Sequence, residues 1–329
     1  MRAVVYSKFG PASDVLSVTT VPMPTPAAGE VLVKLAFSGA NPSDAKARGG
    51  SRPGVTKPAF DLIIPNSDGS GEIVAVGDGV DASRIGERVW IWNGQWQRPF
   101  GTAATYIALP SDQAVPLPAG MSYETGACLG IPGLTAAHSV FGAGSVAGKT
   151  LLISGGAGSV GHNAIQLAKW GGATVIATGS ANGFDRMRAA GADHVLEYRS
   201  PTLAQDILAI APQGVDRAVE VEFGENIDLL HQVVRANGSI AAYGSAKTMA
   251  PSLPFGPYLF KAITINVVLI YILPKQERDA AIDILHRAHS EGAFAPDIQI
   301  ILPLSECAAA HDATLTPGRC GAILLDCSR

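Results

Sequence analysis

A glycine-rich segment is the first part of the chain whose residue types and spacing could do chemistry. Gly156, Gly158 and Gly161 fit the pattern GxGxxG, between the β-rich run 150–154 and a helical pattern. With 37 glycines in 329 residues, chance alone gives about 0.5 such matches, so the context has to decide. A strand must end and a helix must begin at such a turn, so that bare backbone approaches a pyrophosphate at the positive helix end. Both conditions hold, which favours a dinucleotide-binding turn over an ordinary strand-to-helix connection.

The loop after the next predicted strand indicates which dinucleotide is bound. An NAD site places an acidic residue there, about 20 positions after the glycines, to bond the adenosine ribose. Here the strand 174–178 continues into the neutral, polar loop 179–183. A carboxylate would repel a 2′-phosphate, whereas the hydroxyl and backbone donors of this loop can receive one. The loop therefore favours NADP(H), unless it is a short connection whose composition carries no preference.

The elements that must position these residues change in character along the chain. The first 110 or so residues contain short alternating segments, such as 30–35 and 71–76, typical of an irregular β-rich domain. Residues 123–141 then form one helical pattern, and strands alternate with helices to about residue 262. Such alternation predicts a doubly wound parallel sheet with helices on both faces. The predicted elements here and in the tail are strands 150–154, 174–178, 215–219, 239–243 and 321–325, helices 161–170, 184–190 and 276–290, and a buried strand within 263–273.

Composition excludes several classes of protein. The chain is 47% hydrophobic and 16% charged, with a net charge of -4 and no basic stripe, which argues against disorder and against nucleic acid as a partner. Four cysteines without CxxC spacing suggest neither a disulfide framework nor a zinc finger. Residues 263–273 are too few to span a bilayer, and Met1 leads directly into an alternating segment without a secretion signal. We therefore expect a cytoplasmic protein with reduced thiols and no membrane partner.

Several short segments, in their order and spacing, resemble one known family. Asn41-Pro42-Ser43-Asp44 is similar to the Asn-Pro-x-Asp segment of the quinone reductases related to zeta-crystallin, which are zinc-free medium-chain dehydrogenase/reductases. The further landmarks are 65–71 with Val76-Gly77, 86–90, Gly-Ile-Pro at 130–132, and 191–195 with Tyr198-Arg199. The resemblance covers nearly the whole chain.

This resemblance implies a fold, an assembly and a set of site residues. The fold class is α/β, with a GroES-like β-rich catalytic domain at 1–122 and 266–329 and a Rossmann NADPH-binding domain with a doubly wound parallel sheet at 123–265. The resemblance also implies a homodimer. It further implies that Asn41 and Thr135 are the catalytic residues, beside the reacting nicotinamide ring. The implied cofactor-binding residues are Lys46, Ala157, Gly158, Ser159, Val160, Gly161, Ser180, Tyr198, Arg199, Gly224, Tyr243, Gly244, Ser245, Val267, Val268 and Leu269.

Differences from related families concern metal and phosphate. The catalytic cysteine and histidine ligands of zinc alcohol dehydrogenases align with Asn41 and Ser67, neither of which is a suitable zinc ligand, so no metal is expected. The quinone reductases often have a tyrosine at the position of Lys46, and a basic residue of the phosphate loop is replaced by Gly183. The 2′-phosphate then meets Arg199, Arg186 or Lys46, and the sequence does not choose among them.

Three functions fit these observations. A quinone accepts hydride and then takes a proton readily from water, so a chain without an obvious general acid fits an NADPH:quinone reductase. An enone, alkenal or enoyl thioester also accepts hydride, but protonation of its enolate often uses a tyrosine-like acid. The third possibility is an NADPH-binding structural protein, as in a lens crystallin, or a nucleic-acid-binding protein with little turnover.

Overall fold

The computed structural model describes residues 1–51 and 54–329, which form two compact units. The first unit comprises Met1–Ile131 and Pro296–Arg329, and the second comprises Pro132–Ala295. The elements of residues 1–131 are, in chain order, β1 (Arg2–Val5), α1 (Ala12–Val15), β2 (Ser17–Thr20), β3 (Glu30–Ala40), α2 (Pro42–Arg48), β4 (Asp68–Val76), β5 (Arg88–Ile91), β6 (Tyr106–Pro110), β7 (Ala114–Pro116) and α3 (Tyr123–Gly126).

The second unit alternates strands with helices, as the sequence predicts. Its elements are α4 (Leu134–Phe141), β8 (Thr150–Ser154), α5 (Ser159–Trp170), β9 (Thr174–Gly179), α6 (Phe184–Ala189), β10 (His194–Glu197), α7 (Leu203–Ile210), β11 (Val215–Glu220), α8 (Phe223–Val233), β12 (Val234–Ala242), α9 (Phe255–Lys261), β13 (Thr264–Val267) and α10 (Lys275–Ser290). The tail returns to the first unit with β14 (Ile298–Pro303), α11 (Cys307–Leu315) and β15 (Ala322–Asp326).

The first unit is built around a mixed sheet that is mainly antiparallel. Its strands lie in the order β14-β15-β3-β4-β5-β7, and β6 pairs with β3. Alternate residues of β3, such as Val31, Val33 and Leu35, pack into a core with Ile73 and Ile107. The alternation of the sequence thus gives one buried face to the sheet, as expected of a β-rich domain.

The second unit is a doubly wound domain around one parallel sheet. The strand order is β10-β9-β8-β11-β12-β13, and every neighbouring pair is parallel. Numbered along the domain this order is 3-2-1-4-5-6, so the order in which the strands are added reverses between β8 and β11. The carboxyl ends of β8 and β11 therefore border the crevice in which such sheets bind ligands.

The unit boundaries differ from the positions expected from the sequence. The second unit runs to Ala295, whereas the expected Rossmann domain ended at residue 265. The reason is that β13 pairs with β12 and α10 packs against α4, which places both elements with the parallel sheet.

Two local predictions were wrong. The helix predicted over 123–141 is broken, because a π-helical segment containing Pro132 separates α3 from α4. The buried strand predicted within 263–273 is the short β13 at the edge of the sheet, and it is largely exposed. An apolar run of this length fits an edge strand as well as a buried one, and strand pairing decides between them.

Candidate cofactor and active site

The glycine-rich turn lies between β8 and α5, with Gly158 as the N-cap of the helix. Gly156 N donates to the carbonyl oxygen of Thr178 at 2.9 Å, which ties the turn to the end of β9. A Cβ atom at Gly161 would collide with the carbonyl oxygen of Gly155, so the close packing of helix on turn requires glycine there. The first N–H groups of an α-helix lack intrahelical partners and bind anions well. Residues 157–161 are brought together in this turn, and they fit a pyrophosphate.

The loop after β9 packs directly on this turn. Ser180 is exposed and caps a 3-10 helix over Ala181–Gly183. A Cβ atom at Gly183 would lie 2.6 Å from that of Ala157, so the two segments touch. Arg186 Nε also donates to the carbonyl oxygen of Ala157 at 2.9 Å. The loop therefore lies where the adenosine ribose is expected in this fold.

Tyr198 and Arg199 flank the same end of β9. Tyr198 N donates to the carbonyl oxygen of Gly179 at 3.1 Å, and the Arg199 guanidinium lies 4.9 Å from the centre of the Tyr198 ring. Both side chains are exposed. Ser180, Tyr198 and Arg199 are thus grouped around one loop, and that they surround the adenosine phosphate remains a prediction.

Sequence reasoning missed Glu197. Its Oε2 accepts a hydrogen bond from Ala181 N at 2.8 Å, within the same loop. Glu197 ends β10 opposite Gly179, so its place at the carboxyl end of a neighbouring strand was the available signal. A carboxylate is therefore present at the loop, although β9 itself ends without one.

The remaining predicted cofactor residues lie at the ends of β11, β12 and β13. Gly224 N donates to Ser245 Oγ at 2.8 Å, and Tyr243 N donates to the carbonyl oxygen of Glu220 at 3.0 Å. Burial, together with the nearby Glu220 carboxylate, raises the pKa of Tyr243 far above its ordinary value, so its phenol stays protonated. The other predicted residues of this group are Gly244, whose carbonyl oxygen accepts from Phe223 N, Val267, which ends β13, and Val268 and Leu269, which follow it.

Asn41 belongs to a buried polar cluster in the first unit. Its Nδ2 donates to Asp68 Oδ2 at 2.8 Å, and its backbone N donates to Asp44 Oδ2 at 2.8 Å. Ile131 N donates to both oxygens of Asp68 at 2.9 Å. Burial, and then the neighbouring Asp44, raise the pKa of Asp68 well above its usual range. These bonds fix the orientation of the Asn41 amide before any ligand binds.

Three further residues considered from the sequence, Thr135 beside the reacting ring, Lys46 as a cofactor contact and Ser67 at a former zinc-ligand position, are divided between the units. Thr135 is buried in α4 of the second unit, whereas the exposed Lys46 and the buried Ser67 lie in the first. That Asn41 and Thr135 flank one ring remains a prediction. Among the described residues, 1–51 and 54–329, no group of three His, Cys, Asp or Glu side chains could hold a metal ion.

Two known families match the chain, one in each part. Residues 27–119 match the family described as alcohol dehydrogenase GroES-like domain, and residues 159–287 match the one described as zinc-binding dehydrogenase. The chain belongs to the medium-chain dehydrogenase/reductase family. Members combine these two domains, so the GroES-like and Rossmann architectures predicted from the sequence are confirmed. The chain is an oxidoreductase with a nicotinamide dinucleotide site.

Individual relatives of this family are similar over different lengths. A quinone oxidoreductase of Rattus norvegicus is 29% identical over 331 residues, covering 99% of this chain and 97% of that protein. The human synaptic vesicle membrane protein VAT-1 homolog is 28% identical, but this chain spans only 62% of its length. A crystal structure of an NAD-dependent alcohol dehydrogenase superposes with a TM-score of 0.87 at 27% identity, covering 99% of both chains. In the described part of this chain, no helix is long and apolar enough to cross a membrane.

Proposed function

We propose that the protein is an NADPH-dependent oxidoreductase that transfers hydride to a quinone without zinc. The observation that carries this proposal is the match, along nearly the full length of both chains, to a rat protein named quinone oxidoreductase. The glycine-rich turn at the carboxyl edge of the parallel sheet supports the cofactor half of the proposal. Asn41 and Ser67 stand where zinc-dependent relatives have zinc ligands, and this replacement supports hydride transfer without zinc.

The residues of the chain would position the reactants rather than react themselves. When bound, NADPH supplies the hydride, and no protein nucleophile is needed. The turn at 157–161 would hold the pyrophosphate, and residues 243–245 with 267–269 would line the path toward the nicotinamide. Asn41, oriented by Asp68 and Asp44, would direct its amide to the nicotinamide ribose or to the acceptor oxygen. A reduced quinone oxygen takes its proton from water, which suits a site without a dedicated acid.

The preference for NADP(H) over NAD(H) rests on the loop after β9. Ser180 offers an exposed hydroxyl, and Arg199 offers an exposed guanidinium held over Tyr198. Of the cations considered from the sequence, Arg186 and Arg199 lie in the same unit as this loop, and Arg186 is directed to the carbonyl oxygen of Ala157. Arg199 is therefore the proposed phosphate contact, by a charge-assisted hydrogen bond.

A homodimer is proposed from an exposed apolar surface of the second unit. β13 is an edge strand, and its Val267 is 83% exposed, while Phe260 of the preceding helix is 89% exposed. Phe255, Leu259 and Ile272 add to this surface. Unpaired edge strands with apolar side chains invite pairing with another chain, and a second copy of this chain would cover the surface. The four cysteines are all free, and three are buried, which is consistent with the proposed cytoplasmic location.

The decisive experiment follows oxidation of NADPH by the purified protein with matched panels of ortho- and para-quinones and of 2-alkenals, enones and enoyl thioesters. We expect turnover with quinones and none with primary alcohols in the reverse direction. Much faster turnover of the alkenals or enoyl thioesters than of any quinone would replace the proposed substrate class. Binding of NADPH without turnover of either panel would favour the structural role.

A further inference from the structure

Glu197 occupies a backbone donor that the cofactor loop would offer to a phosphate. Ala181 is the first residue after Ser180, and its N–H points to Glu197 Oε2 at 2.8 Å. The other carboxylate oxygen lies 3.4 Å from Arg199 N, beside the proposed phosphate contact. An anion of the chain itself is therefore bound at the loop before any ligand arrives.

The strand pairing keeps this carboxylate in place. Glu197 pairs with Gly179 in the parallel register of β10 and β9, so it stands beside the end of the strand that leads into the loop. The loop is held in turn against Ala157 of the glycine-rich turn by Gly183 and Arg186. A ribose at the end of β9 would thus have Ser180 on one side and Glu197 on the other.

We propose that Glu197 is a specificity residue that competes with the 2′-phosphate of NADP(H) for the Ala181 N–H, so that it weakens NADPH binding while leaving NADH binding almost unchanged. This inference rests on the proposed function, because it assumes that the adenosine ribose lies at this loop. When a phosphate binds at Ala181 N, the Glu197 carboxylate must either turn away or remain in contact with the phosphate, whose charge has the same sign. A free 2′-hydroxyl brings no such charge, and it can donate a hydrogen bond to the carboxylate.

The size of the change in NADPH affinity depends on the repulsion between two negative charges, the Glu197 carboxylate and the 2′-phosphate, at a partly exposed site. Glu197 is partly exposed, so solvent and salt screen the repulsion, and we expect a change of about five- to tenfold in affinity. In Glu197→Gln the amide oxygen can still accept from Ala181 N, so the loop keeps its shape and loses only the charge.

The test uses titration calorimetry with two ligands that differ only in the 2′-phosphate, 2′,5′-ADP and 5′-AMP, on the full-length protein. Glu197→Gln should bind 2′,5′-ADP about five- to tenfold more tightly than the original chain and 5′-AMP within about twofold. Asp185→Asn is the matched control, because it removes one fully exposed carboxylate from the adjacent helix without touching Ala181, and it should change neither affinity. An unchanged or weaker 2′,5′-ADP affinity in Glu197→Gln, or an equal gain in Asp185→Asn, overturns the proposal.

A second variant tests the amide directly and guards against a Glu197 variant that does not fold. Ser180 has ψ of 154°, the extended conformation that precedes proline, and Ala181 is the first residue of the 3-10 helix, a position that suits proline, so Ala181→Pro is a conservative way to remove the N–H. It should weaken 2′,5′-ADP binding by about two- to threefold, less than the loss of a full charge-assisted bond, because the phosphate gains this N–H only by displacing Glu197, and an unchanged affinity would overturn the assignment of Ala181 N. If the original chain binds neither ligand, the proposed cofactor site fails as well. If it binds 2′,5′-ADP and only the variants behave otherwise, the role of Glu197 alone fails.

Discussion

Ser180 and Glu197 stand on two sides of one short loop, one neutral and one carrying a carboxylate. The neutrality of Ser180 was visible in the sequence, because the residue follows directly from a predicted strand. The carboxylate of Glu197 was not, because it reaches the loop only through the pairing of β10 with β9. A sequence shows which residue ends a strand. It does not show directly which side chain of a neighbouring strand will contact that end.

Replacement of Ser180 with aspartate should reverse the cofactor preference. We expect the original protein to bind NADPH about tenfold more tightly than NADH, from one charge-assisted contact of about 1.5 to 3 kcal/mol that Glu197 partly offsets. In Ser180→Asp the added carboxylate would repel the 2′-phosphate and could accept a bond from the 2′-hydroxyl of NADH. Dissociation constants for both cofactors, measured by fluorescence titration, test this, with Ser180→Asn as the neutral control. A Ser180→Asp protein that still prefers NADPH as strongly would place the phosphate elsewhere.

The residues at the former zinc-ligand positions give a prediction about metal. Asn41 is bonded to Asp68, and an amide and a hydroxyl are poor ligands for Zn²⁺ beside thiolate and imidazole. The purified protein should contain far less than one zinc per chain, and a chelator should leave NADPH oxidation unchanged. Elemental analysis by mass spectrometry measures the content. One zinc per chain, whose removal abolished activity, would contradict this.

The buried cluster around Asn41 shows what residue types alone could not indicate. The sequence suggested Asn41 as a ligand of the cofactor or substrate, but not that Asp68 and Asp44 would hold it. The contact between Asn41 and Asp68 spans 27 positions and depends on β3 and β4 pairing side by side. Such contacts follow from sheet register, which short motifs do not contain.

At the scale of elements, the parallel sheet was the best predicted part of the molecule. The strand over 150–154 matches β8 in both bounds, and the helix predicted over 276–290 differs from α10 by one residue. These elements have strong periodic patterns and clear ends, which local sequence determines. The prediction near 129–133 was wrong because Pro132 interrupts the α-helix. The prediction near 264–267 was wrong because strand pairing, rather than composition, decides whether a strand is buried.

The exposed edge of this sheet gives a prediction about assembly. Phe260→Glu places a charge in the proposed dimer surface formed by α9 and β13, where its burial would cost more than association gains. We expect the original chain to sediment as a dimer and Phe260→Glu to sediment as a monomer, or at least to dissociate about a hundredfold more readily. Analytical ultracentrifugation over a concentration series measures this. Ile85→Glu, at an exposed apolar position of the first unit that lies outside its strands, is the matched control and should remain a dimer.

At the scale of the whole molecule, the tail completes the first unit by more than strand pairing. His311 of α11 is buried, and its Nε2 lies 2.9 Å from Oδ1 of Asn66, a residue 245 positions earlier. Asn66 has a φ of 72°, in the left-handed region, and its Nδ2 donates to Ser38 Oγ at 3.0 Å. Since Asn66 Oδ1 accepts, His311 Nε2 carries a proton and donates it to this bond. One buried imidazole thus joins the tail to the segment before β4.

This imidazole should make the first unit sensitive to acid. Burial, and then the nearby Arg48, lower the pKa of His311 from 6.5 to about 3. The unfolded chain therefore binds more protons than the folded one between about pH 6.5 and pH 3, and the free energy of unfolding should fall as the pH is lowered through that window. In His311→Gln the amide can still donate to Asn66 without titrating, so the fall should be smaller by at least about 1 kcal/mol between pH 6.5 and 5. Urea unfolding followed by tryptophan fluorescence measures this, because three of the four tryptophans lie in this unit, and exposed His194→Gln is the control. Equal pH slopes for the original chain and His311→Gln would show that His311 is not the group that titrates.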